Sequence, residues 1–301
     1  MNNIFLKMFI LCALSSFLAL SCKKDIEAQE DYKTGNLTIA VDPSFKEVSE
    51  ALVQVYQAMY PKVHITLKPE VEDLAIADLV NGRVSLVMVS RDLTPKEAEI
   101  LLNRTQIHYV PSQVALDATI FIAEKNSPID SLTFPKIKAE ILNPNGNLIF
   151  DDGNSSNFNT LMKELPLVFP KGQKLNAQLG ADRVIDFVKE NPDYAGIIGL
   201  DVLSDEGDPK VKKLLQEVKI LPVVNADNKI VAPTVPNLRT GKYPFIKRVY
   251  LLNCEAGFHR GSAFVRFTGS QQGQLIIGRS GLQPYFLYPR NVEITQDNLQ
   301  N

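Results

Sequence analysis

Side chains that could bind an anion cluster in one short stretch of the sequence, residues 149–158 (IFDDGNSSNF). An apolar run leads into a glycine turn, and an amphipathic segment follows from Phe158 to Leu165. This order predicts a strand, a polar turn and the start of a helix, where unpaired backbone N–H groups point outward and suit an anion. The hydroxyl and amide side chains that would join those N–H groups are Asn154, Ser155, Ser156 and Asn157.

Two other predicted corners between a strand and a helix carry similar residues, at positions 42–45 (DPSF) and 90–93 (SRDL). In parallel α/β sheets, ligands bind beyond the carboxyl ends of the strands and next to helix N-termini. Ser44, Phe45, Ser90 and Arg91 are therefore further candidate ligand-binding residues, and Phe45 would offer only its backbone N–H.

Each candidate also has a purely structural interpretation. Ser44 is a good helix N-cap, and the two serines of residues 149–158 could simply begin a helix. Arg91 could be an ordinary exposed arginine that pairs with Asp92 or Glu97. The sequence leaves both interpretations open.

Asp117 stands within an apolar stretch, where an unpaired carboxylate would be costly. A hydrogen bond at a hinge is one role for it, and contact with a ligand is the other.

Catalytic and metal-binding motifs are not found in the sequence. There is no Gly-x-Ser-x-Gly elbow, no glycine-rich phosphate loop and no paired metal-ligand motif, and the three histidines are scattered. We therefore expect no enzyme, no metal site and no cofactor. A hydrolase would require the fold to bring His259 and a serine together.

Apolar runs and amphipathic segments alternate twice along the chain, which predicts two α/β lobes, each a sheet flanked by helices. Residues 36–117 would form the first part of lobe 1, residues 118–222 lobe 2, and residues 223–301, with a helix around 263–276, the C-terminal part of lobe 1. Two crossings between the lobes predict a hinge with a cleft beside it.

The first 21 residues have one lysine near the start, an apolar run too short to span a bilayer and a small residue at the end, which is typical of an export signal. Cys22 follows directly. Residues 18–22 (LALSC) resemble the lipobox of bacterial lipoproteins, in which the cysteine is acylated; an ordinary signal with a chance cysteine is the alternative. Residues 22–35 would form a tether.

Composition limits the possible partners. The formal net charge of −2 argues against a nucleic-acid surface, and the absence of tryptophan offers little for stacking on sugars. Only Cys254 would remain unmodified in the mature chain, so we expect no intrachain disulfide.

Several motifs together resemble a known family: the lipobox, VDPSF (41–45), VSRDLTPKE (89–97), DDGNSSN (151–157), YAGIIGL (194–200) and GSQQGQLIIGRSGLQP (269–284). The chain resembles the phosphate-binding lipoproteins that serve ABC-type importers, which have the type II periplasmic binding protein fold. The resemblance implies that Ser44 and Phe45 donate to an oxyanion. It also implies that residues 154–157 replace a Gly-Ser-Gly-Thr turn that donates to the same anion.

Three positions depart from the family pattern. A family arginine falls at Phe150, the aspartate that accepts the proton of hydrogen phosphate falls near Arg91, and a Gly-Ser-Gly turn is replaced by residues 69–72 (PEVE). Arg91 could replace the lost arginine from the opposite wall. Asp42, Asp117 or Asp152 could supply the proton acceptor, and without one the site should discriminate poorly between phosphate and sulfate.

The resemblance implies a monomeric, lipid-anchored receptor at the periplasmic face of the envelope, or exposed on the outer surface. It would capture inorganic phosphate or another oxyanion and pass it to an ABC permease in the inner membrane. The alternative is an envelope sensor or scaffold with the same fold and a degraded anion site. A glutamate at 70 or 72 turned into the cleft would favour this alternative, because it would repel an anion.

Overall fold

The computed structural model describes residues 32–153, 155–205, 207–225 and 227–287. The predicted signal peptide 1–21, the lipidation residue Cys22, most of the tether 22–35 and the candidate residue Asn154 lie outside the described residues. Within the described ranges, no helix combines the length and apolar character needed to cross a membrane.

Twelve strands are formed by the described residues. In chain order they are β1 (Gly35–Val41), β2 (Val63–Pro69), β3 (Leu86–Val89), β4 (Ser112–Glu124), β5 (Leu132–Thr133), β6 (Leu148–Phe150), β7 (Ala195–Gly199), β8 (Val218–Leu221), β9 (Val223–Val224), β10 (Ile230–Val231), β11 (Ile246–Asn253) and β12 (Gln283–Pro284).

Helices alternate with these strands over the same part of the chain. They are α1 (Lys46–Met59), α2 (Glu72–Val80), α3 (Pro95–Thr105), α4 (Phe134–Leu142), α5 (Ser156–Glu164), α6 (Ala181–Glu190), α7 (Asp201–Ser204), α8 (Pro209–Glu217), α9 (Val235–Arg239), α10 (Arg260–Gly269) and α11 (Gln271–Arg279). A short 3₁₀ turn, Pro43–Phe45, precedes α1.

Lobe 1 is built on β1, which pairs in parallel with β2 and β3, while β11 runs antiparallel to β3. Alternate residues of β1 enter different cores: Ile39 packs with Leu52 and Phe264 on one face, and Ala40 packs with Leu79 on the other. Each fully buried aliphatic side chain contributes about 1.5–3 kcal/mol. Helices therefore cover both faces of this sheet, as the parallel pairing requires.

One long strand connects the two lobes. The first half of β4 pairs with β11, from Ser112 to Ala118, and its second half pairs with β7, from Thr119 to Ile122. The strand changes partner between Ala118 and Thr119 without a break. The two-lobed α/β fold predicted from the sequence is confirmed, and β4 is one of the connections at its hinge.

Lobe 2 extends further along the chain than its predicted end at residue 222. Val223, Leu238 and Tyr243 pack in the same apolar core as Ile120, and β9 pairs with β5. The assignment of residues 223–245 to lobe 1 is corrected by this packing, because their apolar side chains complete the core of lobe 2. The chain returns to lobe 1 with β11.

Candidate functional site

A cleft of about 750 Å³ lies between the lobes. The 3₁₀ turn and α1 of lobe 1 form one wall, with Asp42 and Ser44, and the start of α5 in lobe 2 forms the other, with Asp151 and Ser155. A second hollow of about 540 Å³, between β4, β11 and α10, is lined by none of the predicted site residues. Three of the predicted ligand-binding residues, Ser44, Ser155 and Asn157, thus line the cleft.

Asp42 directly follows β1 and is fully buried at the floor of the cleft. Its Oδ1 accepts hydrogen bonds from the backbone N–H of Ser44 at 3.0 Å and from Ser156 Oγ at 3.1 Å. The Oγ atoms of Ser44 and Ser156 are themselves 3.0 Å apart. Because Ser156 begins α5 of lobe 2, these contacts join the two walls directly.

Glu72, the first residue of α2, is also fully buried and provides a second link between the lobes. Its Oε1 accepts from both the N–H and the Oγ of Ser90, each at 2.6 Å. Its Oε2 accepts from Asn159 Nδ2 of α5 at 2.8 Å. One of the two glutamates of residues 69–72, Glu72, is therefore turned towards lobe 2, but it is not among the residues that line the cleft.

Asp151 is the carboxylate that accepts hydrogen bonds from side chains at the start of α5 within lobe 2. Ser155 Oγ donates to Asp151 Oδ1 at 2.7 Å, and Asn157 Nδ2 donates to Asp151 Oδ2 at 2.7 Å. Ser155 is also the N-cap of α5, since its Oγ accepts from the N–H of Phe158 at 3.2 Å. The structural interpretation of Ser155 as a helix cap is confirmed, and its hydroxyl proton is directed to a carboxylate of the same lobe.

Arg91 lies on the lobe 1 side, among acidic groups. It donates to Glu97 at 2.9 and 3.0 Å and to Asp73 at 2.9 Å, and its Nε is 3.9 Å from Glu72 Oε2. The alternative in which Arg91 pairs with Glu97 is confirmed. Its guanidinium is already neutralised by the protein.

Asp117 forms a buried charge cluster at the hinge with Lys247 of β11 and Asp201 of α7. Lys247 Nζ is 2.6 Å from Asp117 Oδ2, and Asp117 Oδ1 accepts from the N–H of Asp201 at 3.1 Å. The Nζ also lies over the ring of Phe45, 5.3 Å from its centroid. Asp117 thus has the hinge role that was one of its two predicted roles.

Desolvation controls the charge of these carboxyl groups. Burial raises the pKa of Asp42 and Asp151 above the ordinary 3.8, and that of Glu72 above 4.5, while the hydrogen bonds from serine and asparagine oppose the shift. Burial, followed by the neighbouring carboxylate of Asp117, raises the pKa of Asp201 well above 3.8. The buried end of the cleft is therefore rich in groups that favour a proton, while three exposed cations, Arg183, Lys210 and Arg279, also line the cleft.

Of the predicted residues, Ser44, Ser155 and Asn157 line the cleft. Ser156 is buried against Ser44 and Asp42, and Ser90 is bound to Glu72. Phe45 is fully buried, and its N–H, the only group it could offer a ligand, donates to the carbonyl oxygen of Asp42 at 2.8 Å within the 3₁₀ turn.

Sequence reasoning missed the direct roles of Asp151, Asn159, Asp201 and Lys247. Lys247 carried a usable signal, because it faces inward in an alternating strand beside Asp117. No group of three or more His, Cys, Asp or Glu side chains in the described ranges could hold a metal ion.

Comparisons with known proteins agree with this architecture. A sequence model described as a PBP superfamily domain matches residues 27–272. The protein SphX of Synechococcus elongatus is 21% identical over 258 residues, which cover 76% of this chain and 71% of SphX.

Solved structures with a similar fold include an ABC-type phosphate transport receptor from Vibrio cholerae, with a TM-score of 0.63 and 17% identity over 83% of this chain and 100% of that one. PstS from Borrelia burgdorferi is another, with a TM-score of 0.54 and 20% identity over 83% of this chain and 98% of that one.

Proposed function

The chain belongs to the PBP superfamily, and we propose that it is a lipid-anchored envelope protein that acts as a sensor or scaffold and does not capture free phosphate. Its fold is that of the type II periplasmic binding proteins, a family of binding proteins that are generally not enzymes. The proposal concerns what the cleft of this particular chain does.

One observation carries the proposal: the donors that would hold an oxyanion are directed to carboxylates of the protein itself. The Ser44 N–H and Ser156 Oγ donate to Asp42, Ser90 donates to Glu72, and Ser155 and Asn157 donate to Asp151. Buried donors that already have charged acceptors gain little from exchanging them for a ligand.

Charge acts in the same direction. A phosphate placed between Ser44 and Ser156 would face the carboxyl groups of Asp42 and Glu72, and like charges brought together cost several kcal/mol. The half-buried Arg91 and the buried Lys247 do not offset this cost. Arg91 is shared by Glu97 and Asp73, and Lys247 is bound to Asp117.

The cross-cleft hydrogen bonds give the scaffold a defined shape. Ser156 with Asp42, and Asn159 with Glu72, hold the walls together through groups of the chain alone. A partner in the envelope would therefore meet a closed pair of lobes whether or not a small molecule is present. Acylation of Cys22 would keep this surface close to the membrane.

A second candidate function is oxyanion capture for an ABC importer. The observation that favours it is the start of α5, where Ser155 and Asn157 line the cleft beside a helix N-terminus. The V. cholerae relative is described as a phosphate transport receptor. For this function, the lobes would have to open, and the side chains of Asp42 and Glu72 would have to turn away or take up protons.

Titration calorimetry and thermal unfolding of the full-length protein in detergent test the two candidates. Bound ligand is first removed by unfolding and refolding, and phosphate, sulfate and chloride are then compared. A ligand that binds only the folded state raises the melting temperature by mass action. We expect no anion-specific rise. A phosphate-selective rise would overturn the proposal and establish the receptor function.

A further inference from the structure

We propose that the Glu72 side chain is an internal anion that fills a latent oxyanion site, so that its removal creates a site for free phosphate or a small carboxylate. The inference rests on the proposed function, in which the native cleft closes without a free ligand. It goes further by naming the residue that excludes the ligand and the donors that would receive it.

The surroundings of the Glu72 carboxylate are those of a bound anion. Three hydrogen bonds reach it: two from Ser90, on lobe 1, and one from Asn159, on lobe 2. The Arg91 Nε lies 3.9 Å from the same carboxylate, on the lobe 1 side. Donors from both walls converge on one fully buried charge, as they do when a two-lobed protein closes over a ligand.

A role in its own helix does not explain this position. A glutamate in the first turn of a helix ordinarily stays near the surface and interacts with the N–H groups of that turn. The hydrogen bonds of the Glu72 carboxylate go instead to Ser90, which follows β3, and to Asn159 in α5. Neither residue belongs to α2. The side chain therefore links two elements from opposite lobes.

The backbone of Glu72 has a separate task. Its N–H donates to Asp42 Oδ2 at 3.0 Å, and this bond does not depend on the side chain. Truncating the side chain should thus leave the start of α2 attached to the floor of the cleft. It would also vacate the space between Ser90 and Asn159 and leave their donors unpaired in a buried place, where a small oxyanion can replace the lost carboxylate.

The test compares the full-length wild-type protein with Glu72→Ala and Glu72→Ser in thermal unfolding. Sodium formate and sodium phosphate are titrated separately at matched ionic strength, with sodium chloride as the control. We expect both variants to melt at a lower temperature than wild type and to recover about 3–6 °C at an anion concentration tenfold above Kd. Rescue by formate alone would assign a site for planar carboxylates, and rescue by phosphate a site for tetrahedral oxyanions.

Glu70→Ala is the matched control, because Glu70 is an acid of the same type only two residues before Glu72. Its carboxylate pairs with Lys68 at 2.8 Å, and its side chain is 21% exposed. We expect no rescue of this variant. Equal rescue of Glu70→Ala, or no rescue of either folded Glu72 variant, would overturn the inference.

Two outcomes keep the inference separate from the proposed function. Phosphate binding by the wild-type protein would overturn the proposed function. If added anion raises the melting temperature of neither the wild type nor the folded Glu72 variants, this inference alone is overturned. If a Glu72 variant is unfolded without added anion, recovery of its far-ultraviolet circular dichroism with formate or phosphate supports the inference. Absence of that recovery would contradict it.

Discussion

Lys247 and Asp117 are direct neighbours across β11 and β4, and their charged atoms are 2.6 Å apart within one residue of the point where β4 exchanges β11 for β7. Neither residue exposes more than 2% of its surface. Burial alone would lower the pKa of Lys247, but the carboxylates of Asp117 and Asp201 outweigh it and hold that pKa above its ordinary value. The hinge is thus held by a charged pair that water does not reach.

Removing one member of this pair should be strongly destabilising. Lys247→Met leaves Asp117 as a buried, uncompensated charge, and we expect a loss of about 3–5 kcal/mol in the free energy of unfolding, measured in urea. Adding Asp117→Leu to this variant should recover part of the loss. Lys46→Met is the control, because Lys46 pairs with Glu50 on the surface at 3.7 Å, and it should change stability by about 0.5 kcal/mol or less. Similar losses in the two single variants would contradict the prediction.

Stability should fall as the pH rises from mildly acidic to neutral values. The pKa of Asp201 is about 3.8 in the unfolded chain and is raised well above that in the folded state. Between these two pKa values, the folded chain holds a proton that the unfolded chain has lost. Its contribution to stability is fully present below pH 3.8 and is lost as the pH rises through the raised pKa.

Asp201→Asn copies the protonated form and tests this dependence. We expect the variant to be more stable than wild type at pH 7–8 and the difference to shrink towards pH 4, measured by urea unfolding in steps of one pH unit. Part of the pH dependence should remain, because the pKa values of Asp42, Glu72 and Asp151 are also raised by folding. The exposed Asp193→Asn is the control. An unchanged pH profile in Asp201→Asn would refute the assignment.

Asn159 should help to keep the lobes closed. Asn159→Ala removes the donor that reaches Glu72 across the cleft at 2.8 Å, and a buried acceptor left without a partner costs about 1–3 kcal/mol. We expect lower stability and a larger radius of gyration in small-angle scattering. Asn191→Ala, whose amide donates to the Phe187 carbonyl within lobe 2, should leave the radius unchanged. An unchanged radius in Asn159→Ala would show that this contact does not hold the lobes together.

Cys22 should determine attachment to the membrane. We expect the wild-type protein to partition into the detergent phase and Cys22→Ser to remain in the aqueous phase, because acyl chains supply the hydrophobic anchor. Cys254→Ser is the control, since this cysteine belongs to the folded domain. Identical partitioning of the Cys22 variant and wild type would favour an ordinary export signal with a chance cysteine.

Much of the fold could be predicted because alternating apolar patterns record which faces are buried. The pattern failed near the C-terminus, where one helix around 263–276 was expected and α10 and α11 are found. Ser270 accepts from the N–H of Gly273 at 3.3 Å and caps the second helix. The apolar spacing continues across this break, so periodicity alone does not reveal it.

The donors of the site were predictable, and their acceptors were not. Strand ends and helix starts placed Ser44, Ser155 and Ser156 near the cleft, because local sequence sets such corners. Which carboxylate each hydroxyl reaches depends on the folded chain: Ser156 meets Asp42, 114 residues away. The sequence shows that Glu72 stands where the family has a Gly-Ser-Gly turn. Its contact with Asn159 forms only when the two lobes are closed, so the sequence does not reveal it.

The Glu72 carboxylate belongs to the same chain as the Ser90 groups that donate to it, so it cannot diffuse away from them. Tethering fixes the effective concentration of the Glu72 carboxylate at the Ser90 donors, commonly in the millimolar range or above for a short connection. The concentration of free anion around the protein does not change that value. A free anion at micromolar concentration would compete poorly with it, so occupation of the Ser90 donors would follow the pH around the protein more closely than the phosphate concentration.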